Sequence, residues 1–219
     1  RKTPEKVAHF TEIIDSSPVG NKKYKVYWRV GNPVQTLLEA SEEFNIDMIL
    51  LGALKRENVV KFYLGSIARK ITRKAKCSVL LLINPSVERI PCQHIVVNGF
   101  DSPQTIETIR AAFTVAKSLG AKKISLVEEI SRSKVDVAVD DDLSLRRATL
   151  KKEKLRRQEQ TRVKDVVEKL PSSLTQDINW TTQSIFGRRG YSIGHYAKVV
   201  RADLLVMNAV DKLSFIDRL

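Results

Sequence analysis

The chain has 219 residues, 42% of them hydrophobic, enough for one large or two small cored domains. Its formal net charge of +13 directs attention to anionic partners, while no apolar run approaches the roughly 18 residues of a helical membrane span and no signal peptide is visible. The two cysteines, Cys77 and Cys92, lack metal-ligand spacing and read as reduced packing residues, which favours a cytoplasmic setting.

In chain order, residues 3–14 read as a helix and 25–29 as a strand, followed by a turn at Gly31 and a helix over 33–44. Pro33 suits the first helical turn, and Leu37, Leu38 and Phe44 share one face with Ala40 and Ser41. Residues 48–51 form a short continuous apolar run, the pattern of a strand covered on both faces. Gly52 and Lys55 follow, then Gly65 and Ser66 opening a helix over 67–73 with Ser66 as its expected N-cap, then a strand over 77–83. A polar stretch, 84–93, carries Pro85 and Pro91 and reads as a linker.

Beyond it come a strand at 93–97, a helix ending at Gly120, and a strand at 123–127, a βαβ run that predicts right-handed parallel pairing. Asp101 precedes Pro103 and has two readings, a helix cap or a group facing a ligand from the end of a strand. Asp140, Asp141 and Asp142 introduce a long charged helix, with a strand near 178–186, a turn at Gly187, a helix over 191–200 and an apolar strand at 204–207 after it.

The chain states one pattern twice. Gly31 with Asp47 and Gly187 with Asp203 are both separated from their counterparts by 156 residues, with a turn, a helix and a buried strand between glycine and aspartate each time. This predicts α/β architecture in two repeated units, with boundaries at 1–86 and 87–219.

Gly52, Gly65 and Ser66, with Lys55 at a position where glycine is usual, resemble the phosphate-loop signature of the universal stress protein family (Gly, two residues, Gly, nine residues, Gly, Ser or Thr). The resemblance implies doubly wound parallel sheets of the adenine nucleotide alpha hydrolase-like type and a tandem, edge-paired, homodimeric regulator rather than an enzyme. It also implies ATP or a related adenine nucleotide, with magnesium as a companion, held at Gly52, Lys55, Gly65 and Ser66, and makes Asp101 the candidate nucleoside-facing carboxylate of the second unit. Glycine at such a loop permits positive φ and close backbone approach to phosphate; Lys55 offers charge without that approach. The bare alternative is a strand-to-loop turn and a helix entry. In the second unit Gly52 is replaced by Asn208 and Lys55 by Asp211, which repels phosphate.

In the family's order the segment at 25–29 is a third strand, so the first unit lacks its first strand, first helix and second strand, and the second lacks its last helix and strand. The chain therefore reads as an excerpt of a longer polypeptide. Family members also form cytoplasmic tails of transporters, including cation/proton exchangers and amino-acid permeases, so an attached transmembrane domain at the inner face of a membrane is one expectation.

Residues 143–170 hold ten Lys or Arg against four acids and no aromatic, which disfavours nucleic acid and leaves a solvated helix or an anionic membrane surface met by the Arg146–Lys169 stretch. Between 151 and 162 only Leu155 is a large apolar residue, so that part is expected to be exposed. His9, His94 and His195 show no triad or metal spacing, and the turn from Gly187 to Gly190 reads as structural or anion-binding. Two functions stay open: a nucleotide-sensing module, or an interaction module that does without nucleotide.

Overall fold

The computed structural model describes residues 3–17, 23–53, 65–83, 90–134, 140–188 and 190–208. The chain divides into two compact units, Arg1–Val87 and Glu88–Leu219.

In the first unit, helix α1 (Thr3–Asp15) is followed by a segment at 23–30 without regular secondary structure, then helix α2 (Pro33–Glu43), strand β1 (Met48–Ala53), helix α3 (Ser66–Lys74) and strand β2 (Ser78–Ile83). Asn32 starts α2: its Oδ1 accepts from the backbone N–H of Val34 at 3.0 Å and Gln35 at 3.3 Å, with Pro33 contributing the first helical φ. Strands β1 and β2 pair in parallel from Met48 opposite Ser78 to Ala53 opposite Ile83.

The expected strand at 25–29 does not form. The second unit supplies the reason. It holds strands β3 (His94–Asn98), β4 (Lys123–Ser131), β5 (Asn179–Gly187) and β6 (Leu204–Val206) in the order β5-β4-β3-β6, all parallel. By the repeat offset, 25–29 corresponds to part of β5 and β1 to β6, and in the complete arrangement two strands lie between them. Three inter-strand spacings separate such positions by about 14 Å. Among the described residues of the first unit no strands occupy that interval, so 25–29 joins no sheet, with Tyr27 and Trp28 half exposed.

Both faces of the second sheet are covered. Helices α4 (Thr105–Leu119) and α5 (Asp142–Glu168) pack on one side, where Ile95, Val97, Ile109, Phe113, Ile124, Leu126, Val163 and Val167 form a buried core. Helix α7 (Tyr191–Val199) covers the other through Val96, Val127, Ile193 and Ala197. A one-turn helix, α6 (Ser172–Thr175), leads into β5. Gly120, at φ 72°, closes α4 in the left-handed conformation, with Ala121 N–H returning to Ala116 O at 2.8 Å. Strand β4 runs four residues past the expected end at 127.

The repeated glycine and aspartate have physical explanations. A Cβ on Gly187 would lie 2.0 Å from Ser192 Oγ, and one on Gly31, at φ 150°, would lie 2.9 Å from Thr36 Oγ1; each glycine makes room for a hydroxyl five residues on. The Asp203 carboxylate accepts from the N–H groups of Gln93 and His94, both at 2.9 Å, while its own N–H donates to His94 O at 2.9 Å. It holds the first residues of β3 against β6. Asp47 sits at the same place before β1, where its backbone O accepts from Ser78 N–H of β2 at 3.2 Å, and among the described residues no strand other than β2 pairs with β1. Replacing Asp203 by Ala is therefore expected to lower the stability of the second unit by about 1–3 kcal/mol, and Asp47→Ala to lower that of the first by under about 0.5 kcal/mol. Urea unfolding followed through Trp180 and Trp28, one tryptophan in each unit, reads both.

Candidate functional site

The described residues of the first unit include the two ends of the expected loop, Gly52 and Gly65. Gly52 is the fifth residue of β1, exposed and opposite Leu82. Gly65 is the N-cap of α3 at φ −53°, and no side chain bonds to the helix start. Ser66 is thus the first helical residue and not the cap expected for it. With a glycine at the cap, no cap side chain bonds the leading N–H groups of α3 among the described residues, and such a helix N-terminus can receive an anion. Lys55 lies outside the described residues.

Glycine at 52 and 65 is not demanded by the described part of the fold. A Cβ at either would meet no described atom within 4 Å, and neither has a left-handed φ. Gly31, Gly120 and Gly187 are explained by conformation or crowding, as shown above. Among the described residues, nothing crowds Gly52 at its strand end or Gly65 at its helix start.

The second unit differs at the corresponding places. Asn98 ends β3, and its Oδ1 accepts from Phe100 N–H at 3.0 Å. Asp101 neither ends the strand nor caps α4: the helix begins at Thr105, and the Thr105 hydroxyl organises the turn by accepting from Ser102 N–H at 3.1 Å and donating to Phe100 O. The exposed Asp101 carboxylate lies 3.7 Å from the Arg162 guanidinium. Asn208, the counterpart of Gly52, donates through Nδ2 to Ser102 Oγ at 2.6 Å, a bond between the ends of β3 and β6. Asp211 lies outside the described residues.

The turn after Gly187 already holds an anion, and it is internal. Buried Glu129 accepts from Gly190 N–H and Ile193 N–H, each at 2.7 Å, so its carboxylate neutralises the positive end of α7. Arg188 is exposed and Arg189 lies outside the described residues.

Glu128, next in line on β4, faces the other way and is 5% exposed. Arg162 bonds it at 2.6 Å, holds Glu159 at 2.9 Å, and donates to Gly99 O. The basic stretch expected to lie in solvent thus turns Arg162 inward at the carboxyl ends of β3 and β4. Arg156 also turns inward, with its guanidinium 5.8 Å from the Phe186 ring. Burial pushes the Glu128 carboxyl up to about 8 against the opposing pull of Arg162. Sequence reasoning missed this pair because acidic residues after an apolar run read as a strand exit, and one arginine in a basic run carries no separate signal.

His94 is buried, its Nε2 2.9 Å from Ser125 Oγ, and burial lowers its pKa so that it is neutral at pH 7. Among the described residues no cluster of His, Cys, Asp and Glu could hold a metal ion, and no helix is long and apolar enough to cross a membrane.

Glu128 makes stability depend on pH with a definite sign. Its folded pKa lies above the unfolded value, so both states carry the proton below about pH 4.5, and as pH rises to about 8 only the unfolded state releases it. Relative to Glu128→Gln, the native chain is expected to lose stability on the order of 2–4 kcal/mol across that range. Denaturant titrations of both proteins at several pH values check this; a difference that stays flat or grows in favour of the native chain contradicts it.

Residues 15–82 match the model of the universal stress protein family. Among solved structures, the chain resembles a universal stress protein from Archaeoglobus fulgidus DSM 4304, with a TM-score of 0.62, 18% identity, and coverage of 97% of this chain and 67% of that one. A functionally unknown protein from Pseudomonas aeruginosa PAO1 aligns with a TM-score of 0.57 and 13% identity, covering 100% of this chain and 71% of that one. Among curated proteins none matches. Residues 15–82 thus carry the pattern of the universal stress protein family, and the two units of parallel α/β structure share the fold of these solved structures.

Proposed function

We propose that the chain is a regulatory module of universal stress type whose first unit receives the phosphates of an adenine nucleotide. ATP with magnesium is the first ligand to test. Gly52 and Gly65 would give the phosphates close backbone access, the leading N–H groups of α3 with the Ser66 hydroxyl would donate to them, and Lys55 would add charge. The observation that carries this reading is that glycine at 52 and 65 answers no steric or conformational need of the described fold. In this reading residues 1–86 are the C-terminal part of a first universal stress domain and 87–219 a second one that has given up the site.

A second reading rests on the second unit. Asn208 is committed to Ser102 and Glu129 to the start of α7, so the groups nearest a ligand there satisfy one another. A module of that kind would act through homodimer formation or as the cytoplasmic regulatory part of a transporter, without nucleotide and without catalysis.

Isothermal titration with ATP and magnesium separates the two. Gly65→Val meets no described atom at its Cβ, and its branched side chain would stand where phosphate approaches, so binding is expected to weaken about tenfold to a hundredfold. A helix-cap cost of about 1 kcal/mol accompanies the change and is checked by thermal melting. Absence of binding to the native chain favours the interaction module.

A further inference from the structure

Helix α5 is two different helices end to end. At 27 residues it is about 40 Å long, yet it buries only Ala148, Val163 and Val167. Its second half is fixed by Val163, Val167 and the Arg162 network. The first half carries Leu143, Leu145 and Leu150 at 56%, 53% and 70% exposure. Successive helix positions turn by 100°, which places Leu143, Arg146, Arg147, Leu150, Lys151 and Lys154 within an arc of about 140°, opposite the buried side.

None of the four cations in this arc forms an ion pair with a described residue. The acids nearby are engaged or set apart: Glu153 lies within 3.0 Å of Arg157 and 3.7 Å of Arg156, and Asp141 caps the helix by accepting from Ser144 N–H at 2.7 Å. Asp140 and Asp142 flank that cap at the end of the face. The face is therefore cationic along about three turns, with leucines in its middle.

We propose that this face of α5 docks on a bilayer rich in anionic phospholipid, the cations meeting headgroup charges while Leu143 and Leu150 enter the headgroup layer. Charge complementarity selects an anionic partner, and the leucines select among anionic partners. Against a nucleic-acid backbone they would gain nothing, and no aromatic in 143–170 offers base stacking. A bilayer surface presents negative charge and apolar depth together, which a basic amphipathic helix requires.

The test is co-sedimentation of the whole 219-residue chain with phosphatidylcholine vesicles, with and without about one-third phosphatidylserine. Binding is expected only with phosphatidylserine, and to fall as salt is raised. The combined Arg147→Glu, Lys151→Glu and Lys154→Glu variant should lower partitioning about a hundredfold or more, and Leu143→Ser with Leu150→Ser about tenfold. These positions are exposed, so thermal melting should be unchanged and folding is not in question. No binding, equal binding to both vesicles, or a leucine variant that binds as the native chain does while duplex DNA competes vesicles away would overturn the proposal.

Discussion

Strand β3 is the member on which the second unit depends. All five of its residues are buried, it is bonded on one side to β4 and on the other to β6, more than 100 residues away in sequence, and both core clusters include its side chains. A parallel strand in that position must find its neighbours through long connections, so its placement needs a clamp as well as apolar packing. Asp203 provides one, taking two N–H groups at the start of β3 with a single carboxylate. The hydrogen bonds join the strand that opens the unit to the one that follows its last described helix.

The same constraint explains the first unit. Its Asp47 stands ready for a strand that the described residues do not include, and the segment at 25–29, with aromatic and aliphatic side chains suited to a sheet, stays unpaired. Strand propensity is context-dependent, and a strand without a neighbour has no ladder to join.

At the carboxyl ends of the strands the two units have diverged by the way they spend polar groups. In the first, among the described residues, Gly65 puts no cap side chain on the start of α3 and nothing crowds Gly52. In the second, Asn208, Ser102, Glu129 and Arg162 bond to partners within the unit. An internal carboxylate at a helix start does for α7 what a bound anion could do for α3.

Local signals in the sequence were enough to place the helices at 33–43 and 105–119, the parallel strands, the left-handed close at Gly120 and the repeat itself, because periodicity, caps and glycines act within a few residues. They also singled out Gly52 and Gly65, whose absent side chains are visible without coordinates. Tertiary structure decided whether 25–29 became a strand, which way Arg162 turned within a basic helix, that Glu128 and Glu129 lie buried on opposite faces of one strand, and that Asp101 caps nothing. Each of these depends on a partner 30 or more residues distant, or on one that is missing, and the energy of a buried charge is set by that partner rather than by its neighbours in the chain.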